Sequence, residues 1–312
     1  MIRIGDEKTL RDLEFARALE LVAVGASTSL GEEAVRSLTP TTDLESIERA
    51  MAEVREAIAY LDEHGRFSLG AVRDLGALFQ EGHERSILDG EQLLTVRLTL
   101  EASTAVRELL VSLEEQPRLA QLGSRLSDTA SLVKRLHRAI DDRGEIRPDA
   151  SPQLLELSQQ LEALERRVTR KLQGILDRSP ELISEPIVTR RQGRLVIPIR
   201  SGATGAMAFV VHDRSATGQT LYAEPAELVG DNNRITETAT KVREERQRIR
   251  CDLTAAVCSY EAVLRRDQAI LAHVDSLFAR GAYAVGRQCS FPRMGARIAL
   301  RNARHPLLPS DS

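Results

Sequence analysis

Five arginines lie close together in a part of the chain that holds a single acidic residue. The stretch from residue 186 to residue 214 contains Asp213 together with Arg190, Arg191, Arg194, Arg200 and Arg214. Arginine stays charged at physiological pH, and its planar guanidinium donates two parallel hydrogen bonds to a phosphate group. The pattern therefore indicates a contact with a polyanion. The plain alternative is a charged surface that keeps the segment soluble and discourages strand pairing.

Further cations flank this stretch on both sides. Residues 166 to 250 hold sixteen Lys and Arg against ten Asp and Glu, a net charge of +6, which leaves −9 for the rest of a chain whose total is −3. This imbalance predicts a basic end and an acidic body, although a charge run is also typical of a solvated helix face. The flanking candidates for nucleic-acid binding are Arg166, Arg167, Arg170, Lys171, Lys241 and Arg243.

The arginine stretch has the pattern of a β-sheet. Two β-branched runs flank Gln192-Gly193, where glycine can adopt the positive φ of a tight turn, and they predict a hairpin over residues 186 to 200. Two more strands are predicted at residues 208 to 212 and 220 to 223. We expect the turn to be the exposed leading edge of the sheet, with strand alternation sending some of its three arginines to one face. Binding through phosphates would be independent of base sequence.

Motifs of catalysis are absent from the sequence. No GxxxxGK[ST], HExxH or GxSxG occurs, and the three cysteines form no CxxC pair. His212 stands beside Asp213, but such a neighbour pair is more often structural than catalytic. We therefore expect this chain to contain no catalytic, cofactor-binding or metal-binding residue.

Two long amphipathic helices are predicted around the β segment. The first begins at Pro152, a favoured first helical position, and carries apolar residues at steps of three and four up to Ile175. Its 26 residues to Asp177 would span roughly 40 Å. The second repeats the spacing from Ile235 to Val263, with one polar interruption at Arg246. The heptad spacing predicts an antiparallel coiled coil that carries the β segment at its tip.

Shorter helical patterns precede this pair. Asp43 is a suitable N-cap for a helix through Leu61, and His64-Gly65 should end it. After residue 280 the pattern weakens, and Arg297-Ile-Ala-Leu-Arg resembles the start of a strand. The remaining helical patterns run over residues 13 to 24, 30 to 38, 75 to 79, 90 to 113 and 120 to 140.

Composition agrees with a helical protein of this kind. Hydrophobic residues make up 42% of the 312 residues, aromatic residues only 3%, and Trp is absent. No run of about 18 apolar residues predicts a membrane span, and the first residues lack the apolar region of a signal peptide. The unpaired spacing of Cys251, Cys258 and Cys289 favours reduced thiols and a cytoplasmic location.

Several segments resemble the bacterial MutS type-two family, whose members lack the mismatch-recognition domain of classical MutS. The segment from His212 to Pro225, with Glu185-Pro-Ile-Val-Thr and Arg194-Leu-Val-Ile-Pro, is similar to the family's clamp. The match covers nearly the whole chain. Its flanks resemble the opening helix, the lever entry and the lead toward an ATPase domain, at Arg11-Asp-Leu-Glu-Phe15, Asp149-Ala-Ser-Pro152 and Ala303-Arg-His-Pro-Leu-Leu308.

The resemblance implies a mainly α fold with a helical core and a two-helix coiled-coil lever that carries a small β-rich clamp. The implied domains are a core over 1–150, an outgoing lever helix over 151–182, a clamp over 183–230, a returning lever helix over 231–280, and a return to the core over 281–312 that leads into a missing ATPase domain.

The resemblance also implies a function. The clamp would bind branched or recombination-intermediate DNA, and the full-length homodimer would suppress recombination or serve DNA repair near the nucleoid. ATP and Mg²⁺ are implied for the ATPase domain, and a carboxy-terminal domain would be an endonuclease. Two alternatives stay open, a ribosome-binding or rRNA-binding quality-control factor and a coiled-coil module that docks a protein.

Overall fold

A computed structural model describes residues 7–65, 67–79, 87–202, 207–295 and 297–308. The fold is mainly α, as predicted, and includes a four-stranded antiparallel sheet. The chain divides into two compact units. Unit 1 lies within residues 1–137 and 253–312, and unit 2 comprises residues 138–252. None of the described helices is long and apolar enough to cross a lipid bilayer.

The described residues form ten α-helices, numbered in chain order. They are α1 Glu7–Asp12, α2 Phe15–Ala23, α3 Ser29–Arg36, α4 Leu44–His64, α5 Gly90–Val111, α6 Pro117–Arg125, α7 Ala130–Ala139, α8 Pro152–Arg178, α9 Val229–Ser259 and α10 Glu261–Gly286. Short 3-10 turns cover Gly76–Phe79, Pro180–Leu182 and Ala226–Leu228.

Local sequence signals fixed the ends of α4 and the start of α8. The Asp43 carboxylate accepts a hydrogen bond from the Ser46 N–H at 3.2 Å, and Gly65 ends α4 with a φ of 77°. Pro152 stands at the start of α8, and the Ser151 hydroxyl caps it by accepting from the Leu154 N–H at 3.0 Å. Both helices were predicted correctly because their caps lie beside them in sequence.

Two longer helical predictions were wrong about continuity. The pattern over residues 120 to 140 forms two helices, since α6 ends at Arg125 and α7 begins at Ala130. The returning pattern is also divided, because Tyr260 separates α9 from α10 with a φ of −98° and a ψ of 3°. Apolar periodicity continues across each break, so it did not reveal where the backbone leaves the helix.

The core of unit 1 explains the second break. Residues Ile270, Leu271, Val274, Leu277 and Phe278 of α10 belong to the main apolar cluster of unit 1. Phe278 stacks on Phe67 with ring centroids 4.1 Å apart. The apolar stripe of α10 is therefore buried in the core of unit 1, and the residues of α9 up to Asp252 belong to unit 2.

Unit 2 contains the sheet. Its strands are β1 Thr189–Arg191, β2 Arg194–Arg200, β3 Phe209–Arg214 and β4 Thr220–Pro225, in the order β1-β2-β4-β3 with every pair antiparallel. All four strands lie where the alternating pattern predicted them.

One sheet face packs against helices. Leu195, Ile197 and Ile199 of β2 and Leu221 and Ala223 of β4 share an apolar cluster with α8 and with the start of α9. The helix contributions come from Val168, Leu172, Ile175, Leu176 and Ile235, and Leu228 of the 3-10 turn before α9 also belongs to the cluster. The carboxyl-terminal half of α8 therefore forms the support of the sheet. Leu157, Leu161 and Leu164 in the middle of α8 are half-buried.

Strand β2 changes partners along its length. Its first residues pair with β1, whereas β4 pairs with residues 197–200. Without a further partner, the N–H and carbonyl groups of Leu195 on the β4 side of β2 would be unpaired. Asn232 of α9 is that partner, because its side-chain amide accepts from the Leu195 N–H at 3.1 Å and donates to the Leu195 carbonyl at 3.0 Å. Asn232 is fully buried and joins α9 to the sheet.

The predicted strand at Arg297–Arg301 does not form among the described residues. Ile298 is 95% exposed and Leu300 is 78% exposed. A strand needs a neighbour that satisfies its backbone groups, and no described strand lies beside this segment. The alternating pattern was therefore insufficient to predict pairing.

We predict that Asn232→Ala destabilises unit 2 by about 1 to 3 kcal/mol, because it leaves two buried backbone groups of Leu195 without partners. Urea unfolding gives the free energy, and hydrogen exchange of the Leu195 amide reports the local loss of protection. The exposed Gln159 of α8 offers a control, since Gln159→Ala should change stability by less than about 0.5 kcal/mol. Full protection of the Leu195 amide in the Asn232 variant would contradict this role.

Candidate nucleic-acid interface

The turn between β1 and β2 contacts strand β3 through the side chain of Gln192. Gln192 and Gly193 both have positive φ, 50° and 80°, as a tight hairpin turn requires. The Gln192 side-chain amide donates to the His212 carbonyl of β3 at 3.2 Å. The turn was predicted correctly, and Gln192 and Gly193 are exposed as expected, but this hydrogen bond ties the turn to β3.

Each of the three arginines around this turn is paired with an acid. Arg190 donates to Glu165 of α8 at 2.5 Å, and Arg191 lies 3.3 Å from Asp213. Arg194 donates two hydrogen bonds to Glu224, at 2.8 and 3.0 Å. Strand alternation explains the division, since Arg190 shares a face with Leu195 toward α8 whereas the other two lie on the opposite face.

Glu224 is the centre of the contacts on that opposite face. Its side chain is 0% exposed, and it contacts both Arg194 and His212, whose Nε2 lies 2.5 Å from the carboxylate. Arg194 also donates to Asn233 of α9. His212 occupies a β-bulge between Val211 and Asp213, so its partner is Glu224 rather than its sequence neighbour. These contacts make Arg194 a half-buried structural residue and not the exposed turn residue that we expected.

Tyr222 lies on the same face beneath Arg191. The Arg191 guanidinium stands 4.1 Å from the centroid of the Tyr222 ring, a cation–π geometry. The exposed face of the ring is therefore covered, and Tyr222 is half-buried. Phe209 packs against the apolar cluster on the other face. Both aromatic residues therefore pack against other side chains of unit 2.

The cations of α8 near the sheet are also largely paired. Arg167 and Lys171 both donate to Asp231 of α9, the latter at 3.0 Å. The hydrogen bond from Lys171, followed by that from Arg167, lowers the pKa of Asp231 below its usual value even though burial opposes this. Arg166 pairs with Glu162 one turn earlier at 2.8 Å.

Five of the eleven candidate cations have no acid partner among the described residues. Arg170 and Arg200 donate to backbone carbonyls, those of Arg166 and Ile183, and Arg243 donates to the Thr240 hydroxyl. Arg214 and Lys241 are exposed. Positive charge without an acid partner is thus found at Arg170, Arg200, Arg214, Lys241 and Arg243.

Two of these cations stand at one end of the sheet. Arg200 pairs in register with Thr220, and Arg214 pairs with Leu221, so they lie at the same level on either side of β4. Because β4 lies between their strands, two inter-strand spacings separate the Cα atoms of Arg200 and Arg214, which are therefore roughly 10 Å apart. We call residues 200–202 and 214–219 the loop end of the sheet.

The loop end is polar, exposed and free of acids. It presents the hydroxyls of Ser201, Ser215 and Thr217, and only Ser215 among its residues is half-buried. The Ser201 N–H donates to the Gln219 carbonyl at 3.0 Å, and this bond joins the two halves of the loop end. Cations, hydroxyls and exposed amides are groups that bind phosphate, and the adjacent Asp213 carboxylate accepts from the Arg214 N–H at 2.8 Å and pairs with Arg191.

Sequence reasoning missed the acids that fix this arrangement. Glu165, Glu224 and Asp231 each pair with a cation at least 25 residues away in sequence. No local motif relates these partners. In the structure each acid has a buried or half-buried position on an element whose neighbours carry arginine, and this was the only signal that could have found it.

No cluster of three or more His, Cys, Asp or Glu side chains that would suit a metal ion occurs in the described part of the chain. The groups that the loop end offers to a ligand are cations, hydroxyls and backbone amides.

Comparisons with known proteins agree on one kind of relative. The chain is 36% identical over 98% of its length to the protein named Endonuclease MutS2 of Geobacillus thermodenitrificans. It is 34% identical over 97% to that of Symbiobacterium thermophilum, and 31% identical over 98% to that of Bacillus velezensis. The chain spans about 40% of the length of these curated relatives. No protein-family model matches it.

We predict that Arg194→Ala destabilises unit 2 by about 3 to 5 kcal/mol, because it removes the arginine that pairs with the buried Glu224 carboxylate and leaves His212 as its remaining side-chain partner. Arg214→Ala removes the same charge from an exposed position and should cost less than about 0.5 kcal/mol. Chemical denaturation of the two variants measures the difference. Equal stability of the two would show that the Glu224 pair contributes little.

We predict that Asp231 contributes to the stability of the folded chain in a pH-dependent way. Its pKa is lower in the folded chain, so its contribution is present above the unfolded value of about 4 and is lost as pH falls through the folded value. Asp231→Asn should therefore be less stable than the parent chain at pH 7, and the difference should shrink as the pH falls below about 4. Denaturant titrations over this pH range test it, with the exposed Asp177→Asn as control. A difference that is constant with pH would contradict the prediction.

Proposed function

We propose that the chain is the core, lever and clamp portion of a MutS2-type protein, and that its sheet contacts nucleic-acid phosphates. One observation carries the contact: Arg200 and Arg214 at the loop end of the sheet form no ion pair with a described acid, whereas the turn arginines are paired. The similarity to proteins named Endonuclease MutS2 supports the identity.

In this proposal α8 and α9 are the lever and the sheet is the clamp. Ser151 donates to Glu245 at 2.7 Å, and Lys171 donates to Asp231 at 3.0 Å. The two contacts run in opposite order along the helices, which supports antiparallel arms. The arms hold the sheet, and guanidinium and hydroxyl groups of the loop end bind phosphate oxygens. Such contacts position a backbone without reading its bases, so binding is independent of sequence.

The activity of a whole protein is a further part of the proposal. The chain itself is a binding portion without catalysis, since its sequence contains no P-loop or zinc motif. In the longer protein a separate ATPase domain binds ATP and Mg²⁺, and a separate domain cleaves DNA, as the name of the relatives suggests. The whole protein acts as a cytoplasmic, nucleoid-associated homodimer on branched DNA and suppresses recombination.

Two other functions use the same surface. The phosphates could belong to ribosomal RNA, since an acid-free cationic loop binds any phosphate backbone. A protein partner is the second alternative, and it would contact the turn, where Glu165 and Asp213 are partly exposed beside their arginines. Steep loss of binding with salt belongs to phosphate contacts and separates the nucleic-acid functions from the last one.

The direct test is the double variant Arg200→Ala/Arg214→Ala. Because each neutralised phosphate adds about 0.9 to the log–log salt slope on duplex DNA, the variant should flatten that slope by up to about 1.8. Fluorescence anisotropy at several salt concentrations, on a duplex, a four-way junction and a structured RNA, gives the slope and the preferred substrate.

The matched control is Arg17→Ala/Arg49→Ala. These arginines are exposed residues of unit 1, so the control removes the same charge without touching the sheet. Its salt slope should equal that of the parent chain. Unchanged affinity and slope in the folded Arg200/Arg214 variant would contradict the phosphate contact and favour protein docking.

A further inference from the structure

Unit 2 contains a cavity of about 580 Å³ along one face of α9. Three arginines of this helix, Arg243, Arg246 and Arg250, line it at steps of three and four residues. The other lining residues are Glu145, Ile146, Glu244 and Gln247. The cavity therefore combines one cationic helix face with an opposing loop.

Burial separates the lining into a floor and a rim. Ile146 is buried, and Arg246 and Arg250 are half-buried. The other lining residues, Glu145, Arg243, Glu244 and Gln247, are exposed. The charges at the floor are thus cationic, while the acids stand at the exposed rim.

Arg246, which lines the cavity, has a side-chain donor without a partner. Its Nε is buried, yet it has no hydrogen-bond partner among the described residues. A buried donor without an acceptor is costly, and guanidinium groups satisfy it best with an anion. The rim acids do not supply that acceptor, since no described ion pair joins Glu145 or Glu244 to Arg243 or Arg246.

We propose that this cavity binds a phosphate group. A phosphate at the floor accepts hydrogen bonds from Arg246, and Arg243 at the rim adds a second cation. The volume exceeds that of a phosphate alone, and the rim carboxylates accept hydrogen bonds from donors elsewhere on the ligand. The chemistry thus fits a phosphate ester, whether it belongs to a small metabolite or to a nucleic-acid backbone.

This site is separate from the loop end of the sheet. Asn232, which joins α9 to β2, and Arg246 are fourteen residues apart on α9, or roughly 21 Å along the helix. The proposal does not rest on the phosphate contact of the sheet, and either can fail while the other holds. Arg200→Ala/Arg214→Ala should leave this site unchanged.

Titration of the full chain with inorganic phosphate tests the site. Calorimetry at constant ionic strength should show saturable binding to the parent chain. Arg246→Gln should weaken it at least about tenfold, because a hydrogen bond to a charged group is lost. Arg178→Gln, a change at an exposed residue at the end of α8, should not alter it. Arg243→Gln provides a second variant if Arg246→Gln does not fold, and it should weaken binding as well.

A competition measurement identifies the source of the phosphate. If inorganic phosphate displaces duplex DNA from the parent chain but not from Arg246→Gln at constant ionic strength, the ligand is a nucleic-acid backbone. If phosphate binds and leaves the DNA affinity unchanged, the ligand is a small phosphate compound. Absence of saturable phosphate binding, or equal binding to the parent chain and both variants, would overturn the proposal.

Discussion

The arrangement of unit 2 depends on one buried carboxylate. Glu224 is fully buried on β4, and a charge in that position must be paired to be tolerated. Arg194 from β2 and His212 from β3 supply the partners, so three strands meet at a single side chain. This pairing occupies Arg194, the arginine that sequence alone would place at an exposed edge.

The same pairing determines which charge remains for a ligand. Around the turn every arginine has its own acid, and the buried Asp231 of α9 pairs with two cations of α8, Arg167 and Lys171. The net positive charge counted along the sequence is therefore larger than the charge that a bound polyanion can contact. Arg200 and Arg214 at the loop end form no ion pair with a described acid, and this residual charge is the physical basis of the proposed phosphate contact.

Features encoded by adjacent residues could be predicted from the sequence, and features encoded by distant ones could not. Pro152 and the apolar steps after it fixed α8, and Gln192-Gly193 fixed the hairpin turn. Arg194 was misplaced because Glu224 lies thirty residues away in sequence. The break at Tyr260 was missed because α10 keeps an apolar stripe, which the core of unit 1 buries. Periodicity reports that a face is buried but not which partner buries it.

The central claim is that phosphate meets the loop end of the sheet while the turn arginines stay bound to their acids. Arginine Nε–Hε resonances followed by NMR during titration with a short DNA duplex test this residue by residue. The account predicts that the signals of Arg200 and Arg214 shift with saturation while that of Arg194 remains unchanged. Shifts at Arg190, Arg191 and Arg194 with none at Arg200 and Arg214 would contradict it.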